Sequence, residues 1–451
     1  MKNILTMNIK NSLIKLIIIN TFFFFQYLID YNQLDKNSYK IDDNTYNYLI
    51  NKSYNNNFTS HKNISINKDK IIENLINQLN HDYIYRKPKY ILLSDYFINK
   101  YCNDINSYLI FEYYQRNNKS DAYYIINEES LLYHSLLEKN QTNNLIPINI
   151  STNYWDKLYN YILNSKIIIQ SYIFIDFQKI ISKVDYLKYL KINHGVRYFK
   201  KILAKYELKN IKLSKYHSII TSPYEYNIYK NKLHLNDTHL FKAGLPRYDR
   251  FQNINKNESE NQCILFAFTY RSYDNEVYEK SLFKKNLEKL FKDQTLITFL
   301  EKNKIDLIYI PHHYDILRNR PFDANNFHYI KYKTQKDLSH FVEQCSLCVT
   351  DFSSISFDFM FQNKPTLFYL IDLNDTIKFF EKQYMRKNET IYFGNCFTEQ
   401  QSLIEKIKYY INNKFIIENE LKSNYESLFY YKKNITQRIV NIIHEIIEEK
   451  R

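Results

Sequence analysis

The stretch "SLCVTDFSSISFDF", residues 346–359, is the end of an apolar run followed by small hydroxyl and acidic side chains. The run "CSLCVTD" (345–351) predicts a strand covered on both faces, because such strands are continuously apolar. The segment "SSISFDFMFQN" (353–363) predicts a helix directly after it, with Ser353 and Ser354 in the first turn. A strand leading into a helix is the unit from which doubly wound α/β sheets are built.

Short apolar runs separated by helix-length segments recur along the chain in two series. The first series is 89–95, 122–127, 144–149, 166–171, 189–193, 217–221 and 239–244, and the second is 263–269, 305–311, 345–351 and 366–372. A polar segment, 253–262, lies between them. We therefore predict an α/β protein with two doubly wound, Rossmann-like lobes that face each other across a cleft.

The predicted domain organisation follows from these two series. Residues 86–250 form an N-terminal lobe and residues 251–451 a C-terminal lobe that ends in helices. Residues 1–85 form an extension with an asparagine-rich linker at 51–68. A chain of 451 residues is long enough for two domains, each with its own core.

The extension contains an uncharged apolar run, "LIIINTFFFFQYLI" (16–29), which follows three lysines. Its fourteen residues are fewer than the ~20 that a membrane-spanning helix needs. An interfacial membrane anchor and a helix packed on the protein body are both compatible with this pattern.

The charge and composition narrow the partners. A net charge of +14 favours an anionic partner such as a nucleotide, a phosphate polymer or an acidic membrane surface. No nucleic-acid-binding motif is recognisable, and we expect no nucleic-acid partner. The sequence contains no Asp-x-Asp, and we expect neither a metal nor a cofactor. Cys345 and Cys348 are predicted to be buried thiols, which fits a reducing cytoplasm.

Glycine is rare in this chain. Three are present, whereas average usage near 7% would give roughly 32. A chain with so few glycines is expected to keep them where another group must approach the backbone. Gly195 and Gly244 both follow predicted strands, and we expect a ligand to approach Gly195.

Unpaired backbone N–H groups at the start of the helix after Asp351 predict a phosphate site, with the hydroxyls of Ser353 and Ser354 as further donors. Asp358 lies about one helical turn further on, where its carboxylate could accept hydrogen bonds from sugar hydroxyls. The alternative is that Asp351 or Ser353 only caps the helix.

Other predicted strand ends add polar groups on the same side of the sheets. His194 can exchange a proton near neutral pH. Arg247 either contacts the ligand or pairs with Asp249 inside a turn. Thr269 and Arg271 are placed to clamp an anion. His312 and His313 follow the next strand, and cationic and hydroxyl donors in this arrangement suit a nucleotide diphosphate.

These segments resemble the CDP-glycerol glycerophosphotransferases, the wall teichoic acid polymerase family. "VTDFSSISFDFMFQNKPTLFYLIDL" is similar to the family's Thr-Asp-Tyr-Ser-Ser…Phe-Asp-Phe…Lys-Pro stretch. "NHGVRYFKK", "AGLPRYDRF", "FAFTYRS" and "IPHHYD" resemble further family motifs in the family's order, over about residues 190–375. The chain departs from the family pattern at five positions: Asn193 and Tyr270 stand for tryptophan, Phe268 and His313 for proline, and Ile310 for arginine.

The resemblance implies a glycosyltransferase-B-like fold and a transferase that moves a polyol phosphate from a CDP-polyol to a hydroxyl, releasing CMP. On this hypothesis His194 is the general base, and Arg271, His312 and the Ser353–Ser354 turn hold the diphosphate. The expected substrate contacts are Gly195, Arg247, Thr269, Arg271, His313, Asp351, Ser353, Ser354 and Asp358, with Asp358 on the cytidine ribose.

The resemblance also implies a membrane-linked glycan or polyol-phosphate chain as acceptor, and work at the cytoplasmic face of the membrane. Glycerol and ribitol stay open as the polyol. Two alternatives are a sugar-nucleotide glycosyltransferase on the same fold and a membrane-associated relative without catalytic activity.

Overall fold

The computed structural model describes residues 59–82, 88–95, 105–119, 121–149, 154–172, 175–198, 213–252, 262–271, 275–312, 315, 330–332, 338–373 and 395–448. The chain divides into two compact units, residues 1–71 and residues 72–451. The apolar run 16–29 lies outside the described residues. Among the described helices, none is both long enough and apolar enough to cross a membrane.

The described strands form two parallel sheets. The first has seven strands in the order β3-β2-β1-β4-β5-β6-β7, and the second has six in the order β10-β9-β8-β11-β12-β13. The strands are β1 Tyr90–Ser94, β2 Ala122–Asn127, β3 Leu145–Ile148, β4 Ser165–Gln170, β5 Lys188–Lys191, β6 Tyr216–Ile220, β7 Leu240–Lys242, β8 Gln262–Phe266, β9 Ile305–Tyr309, β10 Ile330–Tyr332, β11 Leu347–Thr350, β12 Thr366–Tyr369 and β13 Cys396–Phe397. In each sheet the chain starts at a central strand, β1 or β8, adds strands on one side of it, and then continues on the other side, as in a doubly wound fold.

The predicted fold class is confirmed, and every predicted strand is present with slightly different ends. Two edge strands, β10 and β13, were not predicted, because three and two residues are too short to form a recognisable apolar run. The first sheet uses strands before residue 250 and the second uses strands after it. The domain boundaries at 85 and 250 stay predictions.

Helices lie between many of the strands, and further helices precede the first sheet and follow the second. They are α1 Thr59–Asp82, α2 Asn106–Arg116, α3 Leu131–Glu138, α4 Trp155–Leu163, α5 Ile175–Lys183, α6 Pro223–Leu233, α7 Asn275–Lys280, α8 Leu282–Phe291, α9 Gln294–Lys302, α10 Leu338–Gln344, α11 Ile355–Phe361, α12 Gln400–Asn412, α13 Asn419–Ser427 and α14 Ile435–Glu448. Side-chain caps set several boundaries. Ser281 and Asp293 accept hydrogen bonds from the first turns of α8 and α9, which divides a segment that is helical in period throughout.

The linker predicted at 51–68 is wrong for its second half, because α1 begins at Thr59. The cause lies further along the helix. Ile72, Leu75, Ile76 and Leu79 follow helical spacing and are buried. Residues 51–58 lie outside the described part of the chain.

Asparagine replaces glycine in many tight turns of this glycine-poor chain. Nine described non-glycine residues have a positive φ, and five of them are asparagines: Asn118, Asn140, Asn144, Asn363 and Asn434. Asparagine tolerates the left-handed region better than other residues with a side chain, because its short amide can form local hydrogen bonds.

The C-terminal helix α14 packs on the first lobe, against α2 and the 3₁₀ segment Pro246–Gln252. Asp249 in that segment caps α14, since its carboxylate accepts from the backbone N–H groups of Ile435 (2.9 Å) and Thr436 (2.7 Å). Gly244 makes room for this contact, because a Cβ there would lie 3.1 Å from Ile435 Cδ1. The last described helix of the chain therefore packs on the first lobe.

A cluster of aromatic rings joins the two lobes. Tyr248, which is fully buried, stacks on Phe361 at the end of α11, with ring centroids 4.1 Å apart. Phe429 meets Tyr248 edge-on at 5.7 Å. Such pairs stabilise the contact beyond their buried area.

The expectation of two buried thiols at Cys345 and Cys348 is half wrong. Cys345 forms a disulfide with Cys263 of β8, the strand adjacent to β11, while Cys348 is a buried free thiol. The pairing of β8 with β11 brings Cys263 next to Cys345, although the two residues are 82 positions apart in the sequence.

Candidate functional site

His194 lies just beyond the carboxyl end of β5, where the chain leaves the first sheet. Its side chain is exposed, and its imidazole lies beside the ring of Tyr172, with centroids 5.5 Å apart. Tyr172 follows β4, the neighbouring strand, so the pairing of β4 with β5 places the two rings together. Sequence reasoning missed Tyr172, because no local pattern separates it from the other tyrosines of this tyrosine-rich chain.

Gly195 touches the second lobe directly. A Cβ built on Gly195 would lie 2.6 Å from Ser354 Oγ and 2.9 Å from Ser354 Cβ. Real side chains do not pack this closely, so the residue at this position must be glycine for the lobes to meet as they do. The group that approaches the Gly195 backbone is thus Ser354, where we had expected a ligand.

Arg247 links the two lobes by a charged, bidentate contact. Its Nε and Nη2 donate to Asp358 Oδ1 at 3.1 and 2.8 Å, and Nη2 also donates to Oδ2 at 3.1 Å. Its Nη1 donates to the backbone carbonyl of His194. One guanidinium therefore holds both the helix after the serines and the loop that carries His194.

This geometry bears on two expected roles. Arg247 pairs with Asp358 and not with Asp249, which caps α14. Asp358 was expected to bind the cytidine ribose, but its carboxylate is only 10% exposed and both oxygens accept from Arg247. Burial raises the pKa of Asp358, and the positive charge of Arg247 opposes that rise. Asp358 is an inter-lobe tie in this structure.

Arg271 was expected to clamp an anion, and the structure shows that it is committed elsewhere. Its guanidinium is 1% exposed and lies between Asp351 (Nη1 to Oδ2, 2.8 Å) and Asp372 (Nη2 to Oδ1, 2.6 Å). Burial opposes the charge of Arg271, but the two carboxylates raise its pKa. The guanidinium is thus held as a cation inside the protein.

Asp351 is equally buried, which corrects its expected contact with substrate. One oxygen faces Arg271 and the other accepts from the backbone N–H of Thr269 at 2.8 Å. Arg271 Nη1 in turn donates to the carbonyl of Thr269 at 2.7 Å. These residues fix the loops that follow β8 and β11, at the point where the strand order of the second sheet reverses.

Ser353 and Ser354 lie at this reversal point and are half-buried. They precede α11, a helix of only seven residues, and Ser354 is its N-cap residue. Ser353 Oγ accepts weakly from the N–H of Ile355 at 3.4 Å, and Ser356 Oγ donates to the Ser353 carbonyl at 2.8 Å. The predicted strand–serine–helix arrangement is present.

His312 follows β9, next to β8 in the sheet, and is half-buried. Its ring lies beside that of Tyr270, with centroids 5.6 Å apart. His313 lies outside the described residues. Each of the two candidate catalytic histidines thus has a tyrosine ring next to it, Tyr172 for His194 and Tyr270 for His312.

The structure therefore divides the predicted residues into two connected groups. His194, Gly195, Arg247, Ser354 and Asp358 are joined by direct contacts between the lobes. Thr269, Arg271 and Asp351 form a buried support beside them. Among the described residues, no three His, Cys, Asp or Glu side chains converge as they would around a metal ion.

Comparison with protein families gives a match over most of the chain. The family described as CDP-glycerol:poly(glycerophosphate) glycerophosphotransferase matches residues 75–445. This range extends beyond the motifs and includes both sheets.

Two curated relatives come from Bacillus subtilis. The chain is 26% identical over 282 residues to the minor teichoic acid biosynthesis protein GgaB, covering 58% of this chain and 30% of the relative. It is also 26% identical over 235 residues to a teichoic acid glycerol-phosphate primase, covering 49% of this chain and 55% of the relative. The chain thus spans about half, or less, of the length of the curated relatives it matches.

The fold is similar to that of a solved enzyme. The wall teichoic acid polymerase TagF superposes with a TM-score of 0.64 at 18% identity, covering 86% of this chain and 96% of TagF. A TagF variant soaked with CDPG superposes with a TM-score of 0.60 at 15% identity, covering 87% and 99%. At such identities the comparison shows a shared fold.

The contact between Gly195 and Ser354 gives a testable prediction. Gly195→Ala should lower the free energy of unfolding by about 1–3 kcal/mol, because the added methyl forces Ser354 and its backbone to move. Gly244→Ala is the matched control, since its Cβ would meet only side-chain atoms of Ile435 at 3.1 Å or more. Urea unfolding of both variants measures the difference. A larger loss in Gly244→Ala than in Gly195→Ala would contradict the close inter-lobe contact.

Proposed function

Because the chain belongs to the CDP-glycerol:poly(glycerophosphate) glycerophosphotransferase family, we propose that it transfers a polyol phosphate from a CDP-polyol to a hydroxyl group, releasing CMP. Glycerol phosphate is the proposed group, and a polyol-phosphate chain or cell-surface glycan the acceptor. The observation that supports this most strongly is the contact of the His194 loop with the Ser353–Ser354 turn.

The proposed chemistry is an in-line displacement at phosphorus. The acceptor oxygen forms a bond to the phosphorus that carries the polyol, and the bond from that phosphorus to the bridging oxygen of CMP breaks. His194 takes the proton of the attacking hydroxyl, so the acceptor gains the polyol phosphate and CMP leaves with the bond electrons. The exposed imidazole beyond the end of β5 is open to such an acceptor.

The second lobe is proposed to hold the donor and the first lobe the acceptor. Ser353 and Ser354 offer half-buried hydroxyls at the strand-order reversal of the second sheet, where ligands bind in doubly wound folds. His312 follows β9 on the same edge of the sheet and is proposed to stabilise charge on the diphosphate. Arg271 and Asp351 are buried and fix the loops around this position from the interior of the lobe.

Replacing the proposed base tests the proposal. His194→Ala should reduce release of CMP from CDP-glycerol by about 10²- to 10⁴-fold, the usual loss when a positioned base is removed. Binding of CDP-glycerol, measured by calorimetry, should change little because the donor is held by the other lobe. His134→Ala, which removes another exposed imidazole from the first lobe, is the control and should retain wild-type turnover.

Two results would contradict the proposal. Near-normal turnover by folded His194→Ala would remove the base role. A wild-type protein that releases a nucleoside diphosphate from a sugar nucleotide, and no CMP from CDP-glycerol or CDP-ribitol, would favour the alternative glycosyltransferase activity.

We further propose that the protein associates peripherally with the cytoplasmic face of the membrane. The apolar run 16–29 follows Lys2, Lys10 and Lys15, and the chain carries a net charge of +14. Apolar insertion and attraction to anionic lipids act together in interfacial anchors.

Deletion of residues 1–30 tests the membrane proposal. The full chain should float with vesicles that contain anionic lipid, and the truncated chain should bind them much more weakly because both the apolar run and three lysines are gone. Circular dichroism checks that the truncated chain is folded. Equal flotation of the two chains would rule out residues 1–30 as the anchor.

A further inference from the structure

Glu225 is a fully buried carboxylate in the third position of α6, and it contacts the loop that carries His194. One oxygen, Oε1, accepts from the backbone N–H of Arg197 at 2.7 Å. The other, Oε2, accepts from the backbone N–H of Thr221 at 2.8 Å. Glu225 thus ties the chain after β6 to the chain after β5.

Helix capping explains only part of this arrangement. Ser222 caps α6, with its Oγ accepting from the N–H of Glu225 at 3.0 Å, and a glutamate three residues after the cap commonly reaches back to the backbone. The capping role uses one carboxylate oxygen, Oε2, which here accepts from the backbone N–H of Thr221. The other oxygen, Oε1, accepts from the backbone N–H of Arg197, three residues after His194. This contact does not help to cap α6.

The residue before His194 belongs to the same buried network. Asn193 is fully buried; its Nδ2 lies 3.5 Å from Glu225 Oε1, and its Oδ1 accepts from Tyr229 Oη at 3.2 Å. Asn106 of α2 adds a further hydrogen bond, from its Nδ2 to the carbonyl of Asn193 at 3.2 Å.

The His194 loop is consequently held at two points of its backbone. Arg247 holds the carbonyl of His194 itself, and Glu225 holds the chain at Arg197. A buried carboxylate whose strongest contacts are two main-chain N–H groups permits little movement, because displacement would leave those groups unpaired in the interior. Burial also raises the pKa of Glu225, while the hydrogen bonds from Arg197 and Thr221 lower it.

We propose that Glu225 is a positioning residue for His194: its carboxylate fixes the backbone of residues 193–197 so that the imidazole keeps its place beyond the carboxyl end of β5. This inference rests on the proposed role of His194 as base. A misplacement of about 1 Å at a reacting group can cost ~10²-fold in rate, so the effect should appear in turnover.

The test compares two variants, in each of which a carboxylate that caps a helix is replaced by the corresponding amide. Glu225→Gln keeps the shape of the side chain but replaces one acceptor oxygen with an NH₂ group, so Thr221 or Arg197 loses its partner. Asp293→Asn is the control, because Asp293 also caps a helix and lies in the other lobe. Its Oδ1 accepts from the backbone N–H groups of Thr295 and Leu296 at 3.0 and 3.1 Å, and its Oδ2 accepts from Gln400 Nε2 at 2.9 Å.

The expected result is a split between kinetic constants. Glu225→Gln should lower kcat for CMP release by about 10- to 100-fold, with KM for CDP-glycerol changed by no more than a few-fold. Asp293→Asn should keep wild-type kcat. Wild-type kcat in Glu225→Gln, or an equal loss in both variants, would overturn the positioning role.

Hydrogen exchange read by mass spectrometry gives a readout that does not need activity. Amides of residues 192–198 should exchange faster in Glu225→Gln than in the wild type and stay unchanged in Asp293→Asn. Unchanged exchange in Glu225→Gln would overturn the inference even if the enzyme is active. If the wild-type protein releases no CMP, the proposed function is wrong. Faster exchange in Glu225→Gln would then still show that Glu225 holds the loop.

If Glu225→Gln does not fold, Glu225→Asp replaces it. The shorter side chain keeps the charge near the helix start but cannot span Thr221 and Arg197 together. Lower kcat with faster exchange in residues 192–198 supports the inference, and wild-type values of both overturn it.

Discussion

The ion pair between Arg247 and Asp358 is the interaction on which the arrangement of the site depends. It joins a segment that follows the last strand of the first sheet to a helix of the second, and the same guanidinium holds the carbonyl of His194. Removing one partner of a buried pair typically costs about 3–5 kcal/mol, because the other charge is left in the interior. This one contact therefore contributes both to the relative position of the lobes and to the place of the candidate base.

Three further contacts make this arrangement specific. Gly195 lets the backbone of the first lobe reach Ser354, the Tyr248–Phe361 stack fills the space beside the ion pair, and Asp249 anchors the C-terminal helix on the first lobe. The motif "GLPRYDRF" thus has mainly a structural role: four of its residues tie distant parts of the chain together. The candidate chemistry is left to the histidines and serines at the strand ends.

In the second lobe, too, the residues that support the loops differ from the residues that are placed to contact a ligand. Arg271 is neutralised by Asp351 and Asp372 within the interior, where its contacts with these carboxylates and with the carbonyl of Thr269 order the loops after β8 and β11. A cation so enclosed cannot follow charge that develops on a substrate. Hydroxyl groups and an imidazole near the surface are the groups placed to do so, as in sites where preorganised dipoles stabilise the transition state.

The sequence was sufficient for all the strands of the two sheets except the short edge strands β10 and β13, because strands buried on both faces are continuous apolar runs. It also correctly located the strand ends at which polar residues gather. It failed on which charged residues pair. Arg271 and Asp372 are 101 residues apart and Arg247 and Asp358 are 111 apart, so no local pattern distinguishes a buried partner from a substrate contact. Glu225 offered a local signal, the Ser222-x-x-Glu225 capping pattern, but its second contact depends on tertiary structure.

A crystal structure of the protein with CDP-glycerol tests the account most directly. The diphosphate should lie next to the Gly195–Ser354 contact, at the carboxyl ends of both sheets, with a phosphate oxygen about 3 Å from a serine hydroxyl and the imidazole of His194 facing the phosphorus that carries glycerol. A nucleotide bound away from the Gly195–Ser354 contact, or a diphosphate seated on Arg271 after that residue has left its aspartates, would contradict it.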